Sequence, residues 1–117
     1  MERAVPVLPV EDLKRAREFY VDQLGFSVSW ESTKDGTSGI MGVERGGISI
    51  TLDSPMSGHG RDACVSLMVE SADAYYEEWR AKGVPMKREP MNEEWGGRTF
   101  GVTDPFGNTI FVIGPVR

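Results

Sequence analysis

The sequence predicts an α+β protein built from two strand–helix–three-strand (βαβββ) modules that form curved mixed sheets. Three observations predict it. The order of elements read from the first half of the chain recurs in the second, about sixty residues further on. Each half carries one helical stripe: Leu13, Ala16, Phe19, Tyr20 and Leu24 in the first, and Ala72, Tyr75, Tyr76 and Trp79 in the second. Each half closes with a glycine turn into an apolar strand, GGISITL and FGNTIFV. One module alone cannot bury both its helix stripe and its sheet face. Two modules placed face to face, or modules of two chains placed so, would curl their sheets around a cleft.

The elements follow in order. Residues 3–10, RAVPVLPV, read as a strand. Pro6 and Pro9 each remove a backbone donor, which puts this strand at an edge or gives it a kink. Glu11 or Asp12 caps a helix running to Leu24, and Gly25 ends it. FSVSWE then alternates, with Phe26, Val28 and Trp30 expected on one face. Lys34-Asp35-Gly36 is a polar hairpin tip before a strand over Ser38–Val43, and Gly46-Gly47 turns into Ile48–Leu52. Residues 54–61 are rich in glycine and serine and read as a linker between halves 1–53 and 62–117 of a single domain. The pattern restarts with a strand over Ala63–Val69 and a helix capped by Ser71 and ended by Gly83. A short strand is expected over Val84–Arg88, a loop over Glu89–Trp95, and a strand over Arg98–Thr103. The turn Asp104-Pro105-Phe106-Gly107-Asn108 leads to a last strand, Thr109–Ile113.

Composition narrows the function. The chain has 117 residues, 39% of them hydrophobic, which suits one packed core. Its net charge of −5 argues against nucleic acid, which needs a basic face. The same charge favours a cationic ligand and also serves solubility. One cysteine, Cys64, excludes an intramolecular disulfide. No apolar run reaches membrane-spanning length, and MERAVPVLPV is too short and broken for a signal peptide, so a cytoplasmic location is expected. The sole histidine, His59, sits in the linker, which leaves no Ser/His/Asp set. GIMGVERGG lacks the lysine and helix context of a phosphate loop, and the adjacent acids Glu93 and Glu94 read as solvated.

Three stretches carry a resemblance: AVPVLPVEDLKRAREFYVDQLGF, EEWGGRTFGVTDPFGNTIFV, and the repeat itself. Over nearly its whole length the chain resembles the vicinal-oxygen-chelate superfamily of glyoxalases, extradiol dioxygenases, fosfomycin-resistance enzymes and bleomycin-resistance proteins. Within it the chain is most similar to the bleomycin-resistance proteins, through the AVPVL opening, the aromatic-E-W helix Tyr75–Trp79 and the W-G…R…DP-GN close. The resemblance implies a homodimer with paired clefts at the subunit interface. It implies that Pro6 matches a hinge proline where some members pass their first strand to the partner; an ordinary edge-strand proline is the equal alternative. Metal-dependent relatives bind their ion from four strand positions, matched here by Val5, Thr51, Cys64 and Phe111. That set cannot supply the three or four ligands of a stable site, so no metal and no other cofactor is expected.

A cleft for a drug-like guest needs apolar and aromatic walls with a few polar fixings. Trp79 belongs to the helix stripe and reads as core, whereas Trp30 and Trp95 read equally as core or as cleft lining. Thr51, Cys64, Ser66 and Met68 are expected to line one curved sheet, with Met41 nearby and Phe100 and Phe111 as floor. Arg98 would hydrogen-bond a ligand or pair with Glu94. Glu31, Asp35, Glu44, Asp53 and Glu93 would draw a cationic tail. Bleomycin-resistance proteins carry tryptophans on the fifth strand, where this chain has Ser66 and Met68, which weakens the stacking platform for bleomycin and leaves room for another natural product. The expected function is metal-free sequestration of a drug-like, cationic and aromatic small molecule. The alternatives are a superfamily enzyme, metal-free or with atypical ligands, and a scaffold whose cleft is filled by side chains.

Overall fold

Caps and turns set the ends of the helices. The computed structural model describes residues 2–54 and 62–117. The Asp12 carboxylate accepts hydrogen bonds from the amides of Lys14 (2.7 Å) and Arg15 (3.2 Å) and so starts helix α1, Leu13–Arg17. The helix continues as a π-helical segment, Glu18–Gln23, and ends at Gly25, whose φ of 81° suits only glycine. The Ser71 hydroxyl accepts from the Ala74 amide at 3.1 Å and starts α2, Ala72–Ala81.

The strands are β1 (Val7–Pro9), β2 (Ser27–Thr33), β3 (Gly39–Arg45), β4 (Ile48–Ser54), β5 (Cys64–Met68), β6 (Met91–Asn92), β7 (Gly97–Thr103) and β8 (Thr109–Pro115). They form two four-stranded sheets, ordered β1-β4-β3-β2 and β5-β8-β7-β6. In each sheet one outer strand, β1 or β5, runs parallel to its neighbour and the other pairings are antiparallel. The internal repeat is thus realised strand for strand.

Each sheet has a helix face and an open face. Leu8, Leu52 and Met41 pair across the first sheet, and Leu67, Val112 and Phe100 across the second, all buried beneath the helices. These rows join the helix stripes in one core cluster drawn from both halves. Burial of each such side chain contributes about 1.5–3 kcal/mol.

Polar contacts fix one module against the other. The Trp79 indole donates to the Leu24 carbonyl at 3.0 Å. The Tyr20 hydroxyl donates to Asp104 Oδ2 at 2.7 Å, while Asp104 Oδ1 accepts from the amides of Phe106 (2.9 Å) and Asn108 (2.8 Å). Asn108 Nδ2 donates to the Pro9 carbonyl and to Asp104 Oδ2, both at 2.8 Å. Burial, reinforced by the Asp104 charge, pushes the Tyr20 pKa well above its ordinary value and keeps the phenol a donor. Arg45 lies over the Tyr75 ring and forks onto Glu78 at 2.6 and 2.8 Å.

Four local expectations are corrected. The first strand shrinks to Val7–Pro9, because neither proline can donate to the ladder, although the Pro6 carbonyl still accepts from Thr51 N at 2.9 Å. Ser54 is not linker: it ends β4, buried, with its hydroxyl donating to the Glu11 carbonyl at 2.7 Å. The rest of the expected linker, with His59, lies outside the described residues. Val84–Arg88 is not a strand. Val84 drops into the core, and Arg88 reaches β7 by its side chain, donating to the Thr99 carbonyl (2.7 Å) and Oγ1 (3.0 Å), so the outer strand forms later, at Met91–Asn92. Finally, the register shifts between Val28, opposite Val43, and Trp30, opposite Gly42. This bulge turns Trp30 to the face opposite Val28.

Candidate functional site on the open sheet faces

Period-two alternation decides what the open faces present. Across the first sheet one row reads Val7, Thr51, Gly42 and Trp30. Across the second, Ser66 pairs with Phe111 and then Gly101, flanked by Cys64 with Thr109 and by Met68 with Ile113. Trp95 stands in the β6–β7 turn beside Gly97. The open faces carry large exposed apolar side chains: Met68 is 71% exposed, Trp95 62% and Trp30 48%. Large exposed apolar side chains of this kind mark an interaction surface. A recess of about 390 Å³ lies between Met68, Val69, Trp95, Ile113 and Pro115. A second, of about 360 Å³, bridges the two sheets between β4 and β5, lined by Pro6, Ile48, Ser49, Val65, Ser66 and Met68.

The structure divides the expected site residues. Trp30 and Thr51 share the open face of the first sheet, and Cys64, Ser66, Met68 and Phe111 that of the second. The expectation that Thr51 lies on one sheet with Cys64, Ser66 and Met68 is corrected, because each module closes its own sheet. Met41 and Phe100 are fully buried on the helix faces, Phe100 edge-on to Trp79 and Tyr76. Both stand one position out of phase with the open rows.

Arg98 pairs with Gly114 across β7 and β8 and therefore points to the helix side. Its partner is Asp73 of α2, with Nε at 3.0 Å from Oδ2, rather than Glu94. Hydrogen bonds from Arg117 and then Arg98 hold the Asp73 carboxyl below its usual range. A depressed carboxylate stabilises the fold above its unfolded pKa, and that contribution fades as pH falls through the folded value. Asp73→Asn should therefore be less stable than wild type near about pH 7, with the gap closing toward about pH 3. Urea titrations at both pH values check this; a gap constant with pH would contradict it.

Several of the acids expected to attract a cation are engaged locally, Glu93 among them. Glu31 pairs with Arg17, and the Asp35 carboxylate accepts from Thr37 and Ser38 in its own hairpin. Glu44 remains exposed on β3. Sequence reasoning missed Arg88 and Thr99. Thr99 is buried although it faces the open side, its hydroxyl held between Arg88 and the Glu93 carboxylate, to which it donates at 3.2 Å. It also missed Gly42 and Gly97, although a glycine inside a strand signals close approach of another group.

The positions that would hold a metal in metal-dependent relatives do not fit an ion here. Thr51 stands beside Val7 and Phe111 beside Ser66, while Val5 and Cys64 precede those partners by two positions. Hydrocarbon, hydroxyl and a single thiol are a poor donor set for a divalent ion. Among the described residues no group of three or more His, Cys, Asp or Glu side chains could hold one.

A bleomycin resistance protein of Geobacillus stearothermophilus is 28% identical over 126 residues, covering 94% of each chain. The crystal structure of a bleomycin resistance determinant encoded on the transposon Tn5 superposes with a TM-score of 0.84 at 20% identity, covering 98% of both chains. An antibiotic binding protein of Streptomyces sp. CB03234 superposes with a TM-score of 0.78 at 26% identity, covering 98% of this chain and 97% of its own. The profile of the Glyoxalase/Bleomycin resistance protein/Dioxygenase superfamily matches residues 4–112, and the chain belongs to that superfamily.

Proposed function

We propose that the protein captures a drug-like, aromatic and cationic small molecule of the bleomycin kind and holds it stoichiometrically as a homodimer in the cytoplasm. The observation that carries the reading is the pair of exposed indoles, Trp30 on the open face of the first sheet and Trp95 beside Met68 at the second. The relatives named for bleomycin resistance and antibiotic binding support it. A recess of about 390 Å³ is near the lower end of drug-sized sites, about 300–1,000 Å³. Apposing the open face of a second chain would enlarge it and cover the exposed apolar groups, which supports the homodimer. The net charge of −5 favours a cationic guest. Among the described residues no helix is long and apolar enough to cross a membrane.

Bleomycin should raise the melting temperature and quench tryptophan fluorescence, saturating at one molecule per chain. Trp30→Ala and Trp95→Ala should each weaken binding about tenfold, the scale of one lost aromatic stack. Calorimetric titration checks the stoichiometry, and sedimentation checks the dimer. Unchanged affinity in both variants would remove the indoles from the site.

A further inference from the structure

We infer that Gly42 and Gly97 are positioning residues of the ligand site, each seating one indole flat on its sheet as a shelf for a planar, conjugated ring system. The inference rests on the binding reading above and adds the residues that shape it.

Neither glycine is required by the backbone. Both lie within strands, and neither is among the glycines with positive φ. What excludes a side chain is an indole. A Cβ on Gly42 would lie 2.1 Å from Trp30 Nε1, 2.6 Å from Cδ1 and 2.7 Å from Cε2, its three nearest atoms. A Cβ on Gly97 would lie 2.4 Å from Trp95 Cζ3 and 2.7 Å from Cη2, with Ile113 next at 3.2 Å. Contacts this short force the ring to move. The repeat supplies an internal control. Gly101 pairs with Phe111 in the second sheet as Gly42 pairs with Thr51 in the first. Its Cβ would meet nothing closer than 3.7 Å, so the sheet itself does not demand glycine in that row.

The consequence is geometric. Both glycines are buried although they face the open side, while Trp30 stays 48% and Trp95 62% exposed. Each ring packs closely against its glycine while much of its surface stays open to solvent. A ring held this way gives up its rotamer freedom before a guest arrives, and such preorganisation strengthens binding. A flat, immobile π-face selects planar conjugated rings over puckered or branched groups. The recess between Trp95, Met68 and Ile113, about 390 Å³, is where such a ring would lie.

The test compares Gly42→Ala and Gly97→Ala with Gly47→Ala, whose Cβ would meet nothing within 4 Å. Without ligand, acrylamide should quench tryptophan fluorescence more strongly in both seat variants, with red-shifted emission, and leave the Gly47 variant like wild type. Bleomycin affinity should fall about tenfold in each seat variant. Gly42→Ala added to Trp30→Ala should cost no further affinity, because the glycine acts through the ring. That double variant has no ring to displace, so it separates a folding defect from a lost seat. Quenching unchanged in both seat variants, or an undiminished loss in the Trp30→Ala background, would overturn the inference. If wild type binds neither bleomycin nor the planar cation ethidium, the binding reading falls and the shelf role falls with it; the quenching comparison still decides whether the glycines seat the rings.

Discussion

Trp79→Ala should destabilise the protein by about 4 kcal/mol, the largest loss expected from any single truncation here. The side chain is fully buried and packs edge-on against Tyr75 at 5.5 Å and Phe100 at 5.8 Å. Its indole also donates to the Leu24 carbonyl of the other module, so truncation leaves a cavity and removes one bond between the modules, while the carbonyl keeps its bond from Arg45. A domain of this size has roughly 5–15 kcal/mol in total, so the variant should be marginal at growth temperature. Trp79→Phe keeps most of the volume and should lose about half as much. Urea denaturation of the three proteins measures the series, and a loss under about 1 kcal/mol for the alanine variant would mean that the two modules are not joined through this residue.

Asp104→Ala should cost about 3–4 kcal/mol by a different route. The carboxylate is almost fully buried and accepts from the Tyr20 hydroxyl, from two backbone amides and from the Asn108 side chain. Removing it strands several donors at once in a place water does not reach, and the penalty is that of unmet donors rather than lost packing. Tyr20→Phe, which removes one donor and leaves the others satisfied, should cost only about 1 kcal/mol. Thermal unfolding should show the alanine variant lower by on the order of 15 °C. Equal losses in the two variants would contradict the assignment of Asp104 as the hub.

Much of this architecture is legible in the residues because its signals are local. Asp12 and Ser71 are caps wherever they fall, Gly25 and Gly83 end helices by their own φ, and the two stripes fix which way each helix faces its sheet. What escapes is parity. Met41 and Phe100 look like wall residues until one knows which face the helix covers, since both faces of these strands carry apolar side chains. Arg98 follows the same rule and faces α2. Simple alternation puts Trp30 on the face of Val28, and a bulge between them reverses it without any residue type announcing the shift. Val84–Arg88 carries strand-like composition but bonds to β7 through a guanidinium.

The two-sidedness of the strands has a consequence for how such a protein changes over generations. On β5, Cys64, Ser66 and Met68 are exposed on the open face, while Val65 and Leu67 pack toward the core. Under the proposed function, selectivity and cohesion are written in alternate letters of one line. One set can change while the other keeps the backbone in place, which fits a fold that superposes with a TM-score of 0.84 on a structure only 20% identical.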